Sequence, residues 1–277
     1  MMMPQLLNIL VSYSYWNDGI AKSIDPKRTR LLIDSGAFTA WKQGKEINLN
    51  DYCAFLKDLP VKPWRVFSLD VVGDAEKTMK NYLTMKDKGF DPVPIFTRGA
   101  NVKDFLKYSE TSDIVGIGGI ANTPKALNFI EWLSEQASIK NTHWLGVTTP
   151  RMLVRHKPFS ADSSWWNNSG RYGEIVLYMG KGNWHRLRRL SLIDKEPSAL
   201  VKKVLFQYSK DWRKLQKEQT WRKGDFVRAI SAQSFLRFSQ EINKKLGTFI
   251  FAAITDKPSI KHFQDAYALE SEKNENN

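Results

Sequence analysis

The chain has 277 residues, 42% of them hydrophobic, with 42 Lys and Arg against 29 Asp and Glu, a formal net charge of +13. This length supports one large domain or two small ones, and the charge favours a polyanionic partner. The single cysteine, Cys53, excludes an intramolecular disulfide and a cysteine-rich zinc site, and the four histidines lack metal-ligand spacing, so we expect no bound metal. No apolar run approaches the ~18 residues of a membrane span, and the amino terminus lacks the basic start of a signal peptide. We therefore expect a cytoplasmic protein with no membrane contact.

Short apolar runs bounded by polar or glycine residues recur along the chain, and each predicts a buried strand. Seven precede residue 165 and an eighth follows much later; they are Leu6–Ser12, Leu31–Asp34, Arg65–Asp70, Val93–Thr97, Ile114–Gly118, His143–Val147, Phe159–Asp162 and Thr248–Ile254. The segments between and after them have helical patterns, at Leu49–Leu59, Ala75–Lys88, Val102–Ser109, Pro124–Ala137, Pro150–Arg155 and Ser259–Leu269. Such alternation favours parallel strands, and eight of them suffice for a TIM-type (β/α)8 barrel. We predict this α/β barrel, with an open doubly wound sheet as the alternative.

A basic segment separates the last predicted strand from the other seven. Residues 181–245 contain 17 Lys and Arg but 6 Asp and Glu, a net +11, whereas the rest of the chain is nearly neutral. The patterns predict a strand at Glu174–Met179 and helices at Ser198–Leu215 and Phe226–Leu246. Since a solvated surface usually mixes signs, we expect this segment to contact phosphates; an idle basic surface is the alternative.

The predicted domain organisation follows from these elements. Residues 1–172 form barrel strands one to seven, 173–247 a basic and mainly helical insertion, and 248–269 the last strand and its helix. The polar residues 270–277 are expected to form a disordered tail.

Three of the apolar runs end at an aspartate: Asp34, Asp70 and Asp162. Parallel α/β barrels carry their chemistry at the carboxyl ends of their strands, so these side chains are expected to converge. Carboxylates that face one pocket allow one to act as nucleophile and another as general acid or base. The alternative for each aspartate is a cap on the helix after its strand.

Glycines follow two other predicted strands. Gly118 and Gly119 close the fifth strand, and Arg98-Gly99 closes the fourth. Backbone without side chains lets a planar ring lie close to main-chain amides, although such pairs are as common in plain turns. The sequence contains neither G-x-G-x-x-G nor a Walker pattern, so we expect no nucleotide cofactor, and no cofactor of another kind is indicated.

The motifs occur in the same order as those of a known family. Asp34-Ser35-Gly36-Ala37-Phe38 resembles the Asp-Ser-Gly-Gly-Phe of tRNA-guanine transglycosylases, and Phe67-Ser68-Leu69-Asp70 resembles their strand ending in a base-recognising aspartate. Ile95–Gly99 is similar to the family's Val-Gln-Gly strand, and Gly116–Ile120 to its Gly-Gly-Leu-Ala element. Trp144–Pro150 is similar to its Leu-Met-Gly-Val-Gly-Thr-Pro element, and Phe159–Asp162 lies where the family has its nucleophile.

The resemblance implies an eight-stranded barrel that exchanges a base. Asp162 would attack the sugar C1′ and form a covalent glycosyl-enzyme intermediate, while Asp34 would handle protons. Asp70 would bind the N1 and 2-amino edge of the purine. Further base contacts would come from the glycine pair and from residues of the first and third motifs, namely Gly118, Gly119, Ser35, Phe38 and Arg98.

The chain departs from the tRNA enzymes in ways that point to DNA. It lacks the family's three cysteines and histidine that bind zinc, and Arg98 stands where the family has glutamine. It is more similar to the compact DNA 7-deazaguanine transglycosylases of phages, whose products protect DNA from restriction. This similarity implies DNA and a free 7-deazaguanine base, such as preQ0 or preQ1, as partners, and the host cytoplasm if a phage encodes the chain. The expected DNA contacts are Lys181, Trp184, Arg186, Arg188 and Arg189, with packing inside the insertion as the alternative for Trp184.

Other functions stay open at this point. A tRNA-directed enzyme of the same chemistry is the main alternative. A glycoside hydrolase with paired carboxylates is a further one, although a neutral sugar gains nothing from a charge of +11. A third alternative is an inactive subunit that binds nucleic acid, but the presence of all three acids argues against it. The sequence leaves the inserted base and homodimer formation undecided.

Overall fold

The computed structural model of the chain describes residues 6–121, 126–167, 172–192 and 195–275. The chain divides into two compact units. The first contains residues 1–163 and 246–255, and the second contains residues 164–245 and 256–277.

The first unit is built on a sheet of eight parallel strands. In chain order they are β1 (Leu7–Ser12), β2 (Thr29–Asp34), β3 (Arg65–Val66), β4 (Ile95–Thr97), β5 (Val115–Gly118), β6 (Thr142–Trp144), β7 (Ser160–Ser163) and, numbered after the strands of the second unit, β10 (Phe249–Ile254). Their order across the sheet is β3-β2-β1-β10-β7-β6-β5-β4. Consecutive strands of the predicted series are therefore neighbours in the sheet, with β10 in the eighth position, except for β3 and β4, which are its two edge strands.

Helices connect these strands. They are α1 (Asp18–Ala21), α2 (Ala37–Lys42), α3 (Leu49–Lys57), α4 (Ala75–Asp87), α5 (Val102–Thr111), α6 (Ala126–Gln136) and α7 (Pro150–His156). Side-chain caps fix several of the starts: Asn48, Asp74 and Asn101 each accept a hydrogen bond from an amide of the first turn. Short connections of this kind hold the strands parallel and bring their carboxyl ends to one side.

The sheet is curled around an apolar interior. Leu10, Leu32, Phe67, Val93, Ile95, Ile114 and Phe251 form one buried cluster, to which strands from both ends of the sheet order contribute. The edges approach each other beyond β3, where Phe67 forms a parallel bridge with Val93. Here the Ser68 amide donates to Val93 O at 2.9 Å, and the Val93 amide donates to Val66 O at 2.8 Å.

The second unit combines a β-hairpin with helices. The hairpin pairs β8 (Glu174–Gly180) with β9 (Asn183–Arg188) in antiparallel fashion. The helices are α8 (Arg189–Leu192), α9 (Ala199–Gln207), α10 (Glu218–Lys223), α11 (Asp225–Leu246) and α12 (Lys257–Glu275). One buried cluster joins the hairpin to the helices, through residues such as Ile175, Leu187, Leu205 and Ile230. This unit therefore has an apolar core of its own.

The structure confirms an α/β fold with the eight predicted parallel strands. It corrects several finer predictions. The predicted helix over Ser198–Leu215 ends at Gln207, and a short 3-10 turn covers Trp212–Gln216 instead. β9 was not predicted, and residues 124 and 125, the start of a predicted helix, lie outside the described residues.

The predicted domain limits differ from the observed ones. The first unit ends at residue 163 rather than 172, and α12, predicted to belong with the last barrel strand, groups with the second unit. The predicted disordered tail is wrong for residues 270–275, because α12 continues to Glu275 and the buried Glu270 side chain accepts hydrogen bonds from Gln233 and Arg237. Residues 276 and 277 lie outside the described part of the chain.

Candidate active site at the carboxyl ends of the strands

The three predicted aspartates converge at the carboxyl ends of the strands. Asp34 is the last residue of β2, Asp162 lies within β7, and Asp70 follows the segment that continues β3. The charges of Asp70 and Asp162 both raise the pKa of Asp34. Carboxylates interact in this way when they lie close together in a region of low effective dielectric constant.

The carboxyl group of Asp34 has a strongly raised pKa. Burial, and then the charge of Asp70, raise its pKa from the ordinary 3.8 to about 7, while hydrogen bonds from the Gly36 amide and the Ser12 side chain oppose the rise. The Gly36 amide donates to Asp34 Oδ2 at 2.9 Å. Near neutral pH this carboxyl group is therefore present in both protonation states, as a group that donates and accepts protons requires.

The turn after Asp34 requires a glycine. Gly36 has a φ of +81°, and a Cβ at this position would lie 2.3 Å from Ser14 Oγ and 2.7 Å from Ser12 Oγ. Any larger residue would displace these hydroxyls and the amide that binds Asp34. The Asp-Ser-Gly sequence thus fixes the orientation of the carboxyl group as well as the chain reversal.

Asp70 is held from two sides. The Ser35 hydroxyl donates to Asp70 Oδ1 at 3.0 Å, and this bond lowers a pKa that burial raises. The backbone before Asp70 is fixed by Tyr52, whose hydroxyl donates to Phe67 O at 2.9 Å, and by Asn81, whose amide donates to Leu69 O at 3.0 Å. Both orienting side chains are buried, so the position of Asp70 is set before any ligand binds.

Asp162 accepts two hydrogen bonds on one oxygen. The Gly146 amide lies 2.9 Å from Asp162 Oδ1, and His143 Nε2 lies 3.1 Å from the same atom. His143 Nδ1 lies 2.8 Å from Ser160 Oγ. In the tautomer that donates from Nε2 to Asp162, Nδ1 accepts from the Ser160 hydroxyl.

His143 is the residue that the sequence did not identify. Its spacing from the other histidines carries no signal, but its side chain is 1% exposed and packs against the rings of Phe67 and Phe251. β6 and β7 place His143 opposite Ser160, two residues before Asp162. Alternation along β7 turns Ser160 and Asp162 to the same face, which explains how one imidazole reaches both.

The predicted glycine pair and Arg98 also lie at this end of the sheet. Thr97 pairs with Gly118, so Arg98 and Gly119 follow directly at the ends of neighbouring strands. A Cβ on Gly118 would lie 3.0 Å from Ile95 Cγ2, and Gly119 has a φ of +68°. Close strand packing and the turn therefore explain these glycines on their own, while Arg98 and Gly119 are exposed to solvent.

Phe38 lies on α2, directly after the Asp34 turn. Its side chain is 45% exposed and stacks on Trp41, with ring centroids 6.0 Å apart. Lys42 Nζ lies 4.4 Å from the centre of the Phe38 ring. The short helix therefore presents a solvent-exposed aromatic surface with an adjacent positive charge.

The predicted DNA contacts lie in the second unit and differ in their surroundings. Trp184 is half-buried and packs against Trp165, Tyr178 and Phe238 at centroid distances of 4.9, 4.7 and 5.0 Å. These contacts favour the packing alternative over base stacking for Trp184. The cationic residues are more accessible: Lys181, Arg186 and Arg188 are exposed and Arg189 is half-buried. Arg186 forms an ion pair with Glu174 at 2.8 Å.

Within the described residues, no three His, Cys, Asp or Glu side chains are grouped so that they could hold a metal ion. In the same part of the chain, no helix combines the length and apolar character needed to cross a membrane.

Comparison with known proteins found no matching family model, no matching curated protein and no matching solved structure.

Proposed function

We propose that this chain exchanges guanine in DNA for a 7-deazaguanine base through a covalent aspartyl-glycosyl intermediate. The observation that carries the proposal is the convergence of three strand-end carboxyl groups, one of which has a pKa of about 7. A double displacement at a sugar carbon needs a carboxylate nucleophile and a second group that gives and then takes a proton. The motif order described above supplies the identity of the base.

In the first step, Asp162 attacks C1′ of the nucleotide and the bond from C1′ to N9 of guanine breaks. Because the two donors engage Asp162 Oδ1, we assign the attack to Oδ2. Asp34, protonated in part near neutral pH, gives its proton to the leaving guanine. The products of this step are free guanine and a deoxyribosyl ester on Asp162.

In the second step, the incoming 7-deazaguanine loses its N9 proton to the ionised Asp34. N9 then attacks C1′, and the ester bond to Asp162 breaks. The two displacements retain the configuration at C1′ and restore both carboxyl groups to their starting states.

Asp70 is assigned to recognition of the base. A purine with an N1–H and a 2-amino group presents two donors on one edge, which an ionised carboxylate accepts together. Ser35 orients Asp70 for this contact. The exposed Gly119 amide region, Arg98 and the ring of Phe38 are the remaining contacts that we assign to the base.

We further propose that the curled sheet closes into a TIM-type barrel. The two hydrogen bonds and the bridge between the Phe67 and Val93 segments support closure, because they join the edges that end at β3 and β4. The strand order then runs in sequence around the barrel, with the chemistry at the carboxyl ends.

DNA is the polymer that the charge pattern supports. The segment from residue 181 to 245 carries a net +11, and Lys181, Arg186 and Arg188 are exposed. Such cations bind phosphates and make the affinity dependent on salt. A base in a duplex must leave its stack before its sugar carbon can meet Asp162.

The test is release of labelled guanine. Purified protein is incubated with a free 7-deazaguanine base and with guanine-labelled duplex DNA, single-stranded DNA or tRNA. We expect release from DNA, with Asp162→Ala and Asp34→Asn inactive and the exposed Asp58→Asn as active as the natural sequence. Release from tRNA alone would replace DNA by tRNA as the substrate, and absence of release from all three would overturn base exchange.

A further inference from the structure

A basic groove in the second unit has no role in the chemistry described above. Its volume is about 780 Å³, and it lies around the end of α9 and the turn that follows. Cations and aromatic rings dominate its lining, with Lys202, Lys210, Arg213, Arg237, Phe206 and Trp212 among the residues.

An exposed aromatic ring stands at this groove. Phe206 is 84% exposed, although it belongs to a helix whose neighbouring residues Val204 and Leu205 are buried. Trp212, on the turn, is half-buried and has Lys202 Nζ 4.4 Å from its ring centre. Proteins that bind unpaired strands stack bases on such a ring and hold the phosphates with neighbouring lysine and arginine side chains.

The charge of the groove is complementary to a phosphate chain. Asp211 is the one acid that lines it among the described residues, against four cations. Arg213 pairs with Asp211 at 2.8 Å and Lys202 pairs with Glu196, and both of these ion pairs are accessible to solvent. Accessible pairs contribute little to stability, so their cations can exchange a carboxylate for a phosphate at small cost. Arg237 differs, because it binds the buried Glu270 and helps to hold α11 to α12.

We propose that this groove binds an unpaired nucleic-acid strand, with phosphates on Lys202, Lys210 and Arg213 and a base stacked on Phe206. The proposal rests on the proposed function in taking nucleic acid as the partner, and it adds a contact surface separate from the hairpin residues named above. A strand from which a base has been extruded exposes both phosphates and unstacked bases, which these two kinds of side chain bind.

The test is direct binding, measured by fluorescence anisotropy with a labelled single-stranded DNA of about 12 nucleotides. Phe206→Ser is compared with Leu200→Ser, a change of the same kind on the same helix at a residue that is 62% exposed and outside the groove. We expect about a tenfold loss of affinity for Phe206→Ser, the range expected when one stacked base is lost. Leu200→Ser is expected to bind as the natural sequence does.

A second pair of variants tests the phosphate contacts. Lys210→Gln with Arg213→Gln is compared with Lys195→Gln with Lys203→Gln, which removes the same charge at exposed positions outside the groove. The groove variant is expected to lower the slope of log affinity against log salt by about 1.4, the value for two phosphate contacts on a single strand. The control variant is expected to lower it by less than half as much.

The outcomes separate this proposal from base exchange. Equal affinities for Phe206→Ser and Leu200→Ser, or equal salt slopes for the two double variants, would refute binding of an unpaired strand in the groove. Binding of polyglutamate that is as tight as binding of DNA, and equally sensitive to Phe206→Ser, would also overturn it in favour of an acidic protein segment. If the groove variants lose DNA affinity and the natural sequence releases no guanine, strand binding in the groove is supported and the proposed reaction is contradicted.

Discussion

The raised pKa of Asp34 makes a testable prediction about stability. Asp34→Asn removes a carboxyl group whose pKa is about 7 in the folded chain, against an ordinary 3.8. That difference corresponds to about 4 kcal/mol at ~1.4 kcal/mol for each pKa unit. Asp34 is half-buried, so water partly screens its charge. We therefore expect the ionisation of Asp34 to change the free energy of unfolding by about 2 kcal/mol.

The sign follows from the protons that each state binds. Between about pH 4 and 7 the folded chain retains a proton on Asp34 that the unfolded chain has lost. The contribution of this group to stability is therefore fully present below pH 4 and is lost as the pH rises through 7. Asp34→Asn does not titrate, so relative to the natural sequence it becomes more stable as the pH rises.

Urea unfolding at pH 5 and pH 8, followed by tryptophan fluorescence, measures this effect. The difference in unfolding free energy between Asp34→Asn and the natural sequence is expected to be larger at pH 8, by about 2 kcal/mol at most. Asp58→Asn, at an exposed position, is the control. Its unfolding free energy is expected to differ from that of the natural sequence by the same amount at pH 5 and at pH 8. A difference for Asp34→Asn that does not change with pH would refute a raised pKa at this position.

Three further predictions concern the surroundings of the site and the charge of the chain. His143→Leu is expected to lower kcat for base exchange by about a hundredfold with KM little changed, because Asp162 loses the contact that positions it. His143→Gln keeps an amide donor near Asp162 and is expected to retain more activity in the same steady-state assay. Gly146→Ala introduces a side chain at a φ of +73° and places a Cβ 2.7 Å from that of Ala121. We expect the free energy of unfolding in urea to fall by about 1–3 kcal/mol. An unchanged unfolding midpoint would contradict the close packing of Gly146 against Ala121. Affinity for duplex DNA, measured by anisotropy, is expected to fall steeply with added salt, and salt-independent binding would contradict the role assigned to the basic segment.

The sequence predicted the strands of the first unit well because each is an apolar run between polar residues. β2 illustrates this: Leu31, Leu32 and Ile33 are consecutive and all buried, as expected for a strand covered on both faces. The hairpin strand β9 escaped prediction because its residues Asn183–Arg188 are mostly exposed and polar, with Leu187 as the one buried residue. Only its pairing with β8 makes it a strand.

The end of the chain was mispredicted for a related reason. Residues 270–275 are polar, which favoured disorder. The helix that contains them is joined to α11 at Glu270, which accepts hydrogen bonds from Gln233 and Arg237, and partners so distant in sequence leave no local signal.

The site was predictable in part. The rule that strand ends carry chemistry selected the three acids, and the charges of Asp70 and Asp162 raise the pKa of Asp34. The pairing of His143 with Asp162 was not predictable, because it depends on the register of β6 against β7. The pKa of about 7 at Asp34 depends in the same way on burial and on neighbours from other strands.

The most direct test of the central claim is to locate the covalent intermediate. The protein is incubated with a guanine-containing DNA oligonucleotide in the absence of the incoming base, quenched in acid and digested, and the peptides are examined by mass spectrometry. We predict a deoxyribose-linked adduct on the peptide that contains Asp162, present in the natural sequence and in Asp58→Asn but absent in Asp162→Ala. An adduct that persists in Asp162→Ala, or guanine exchange without an adduct on this peptide, would contradict the account.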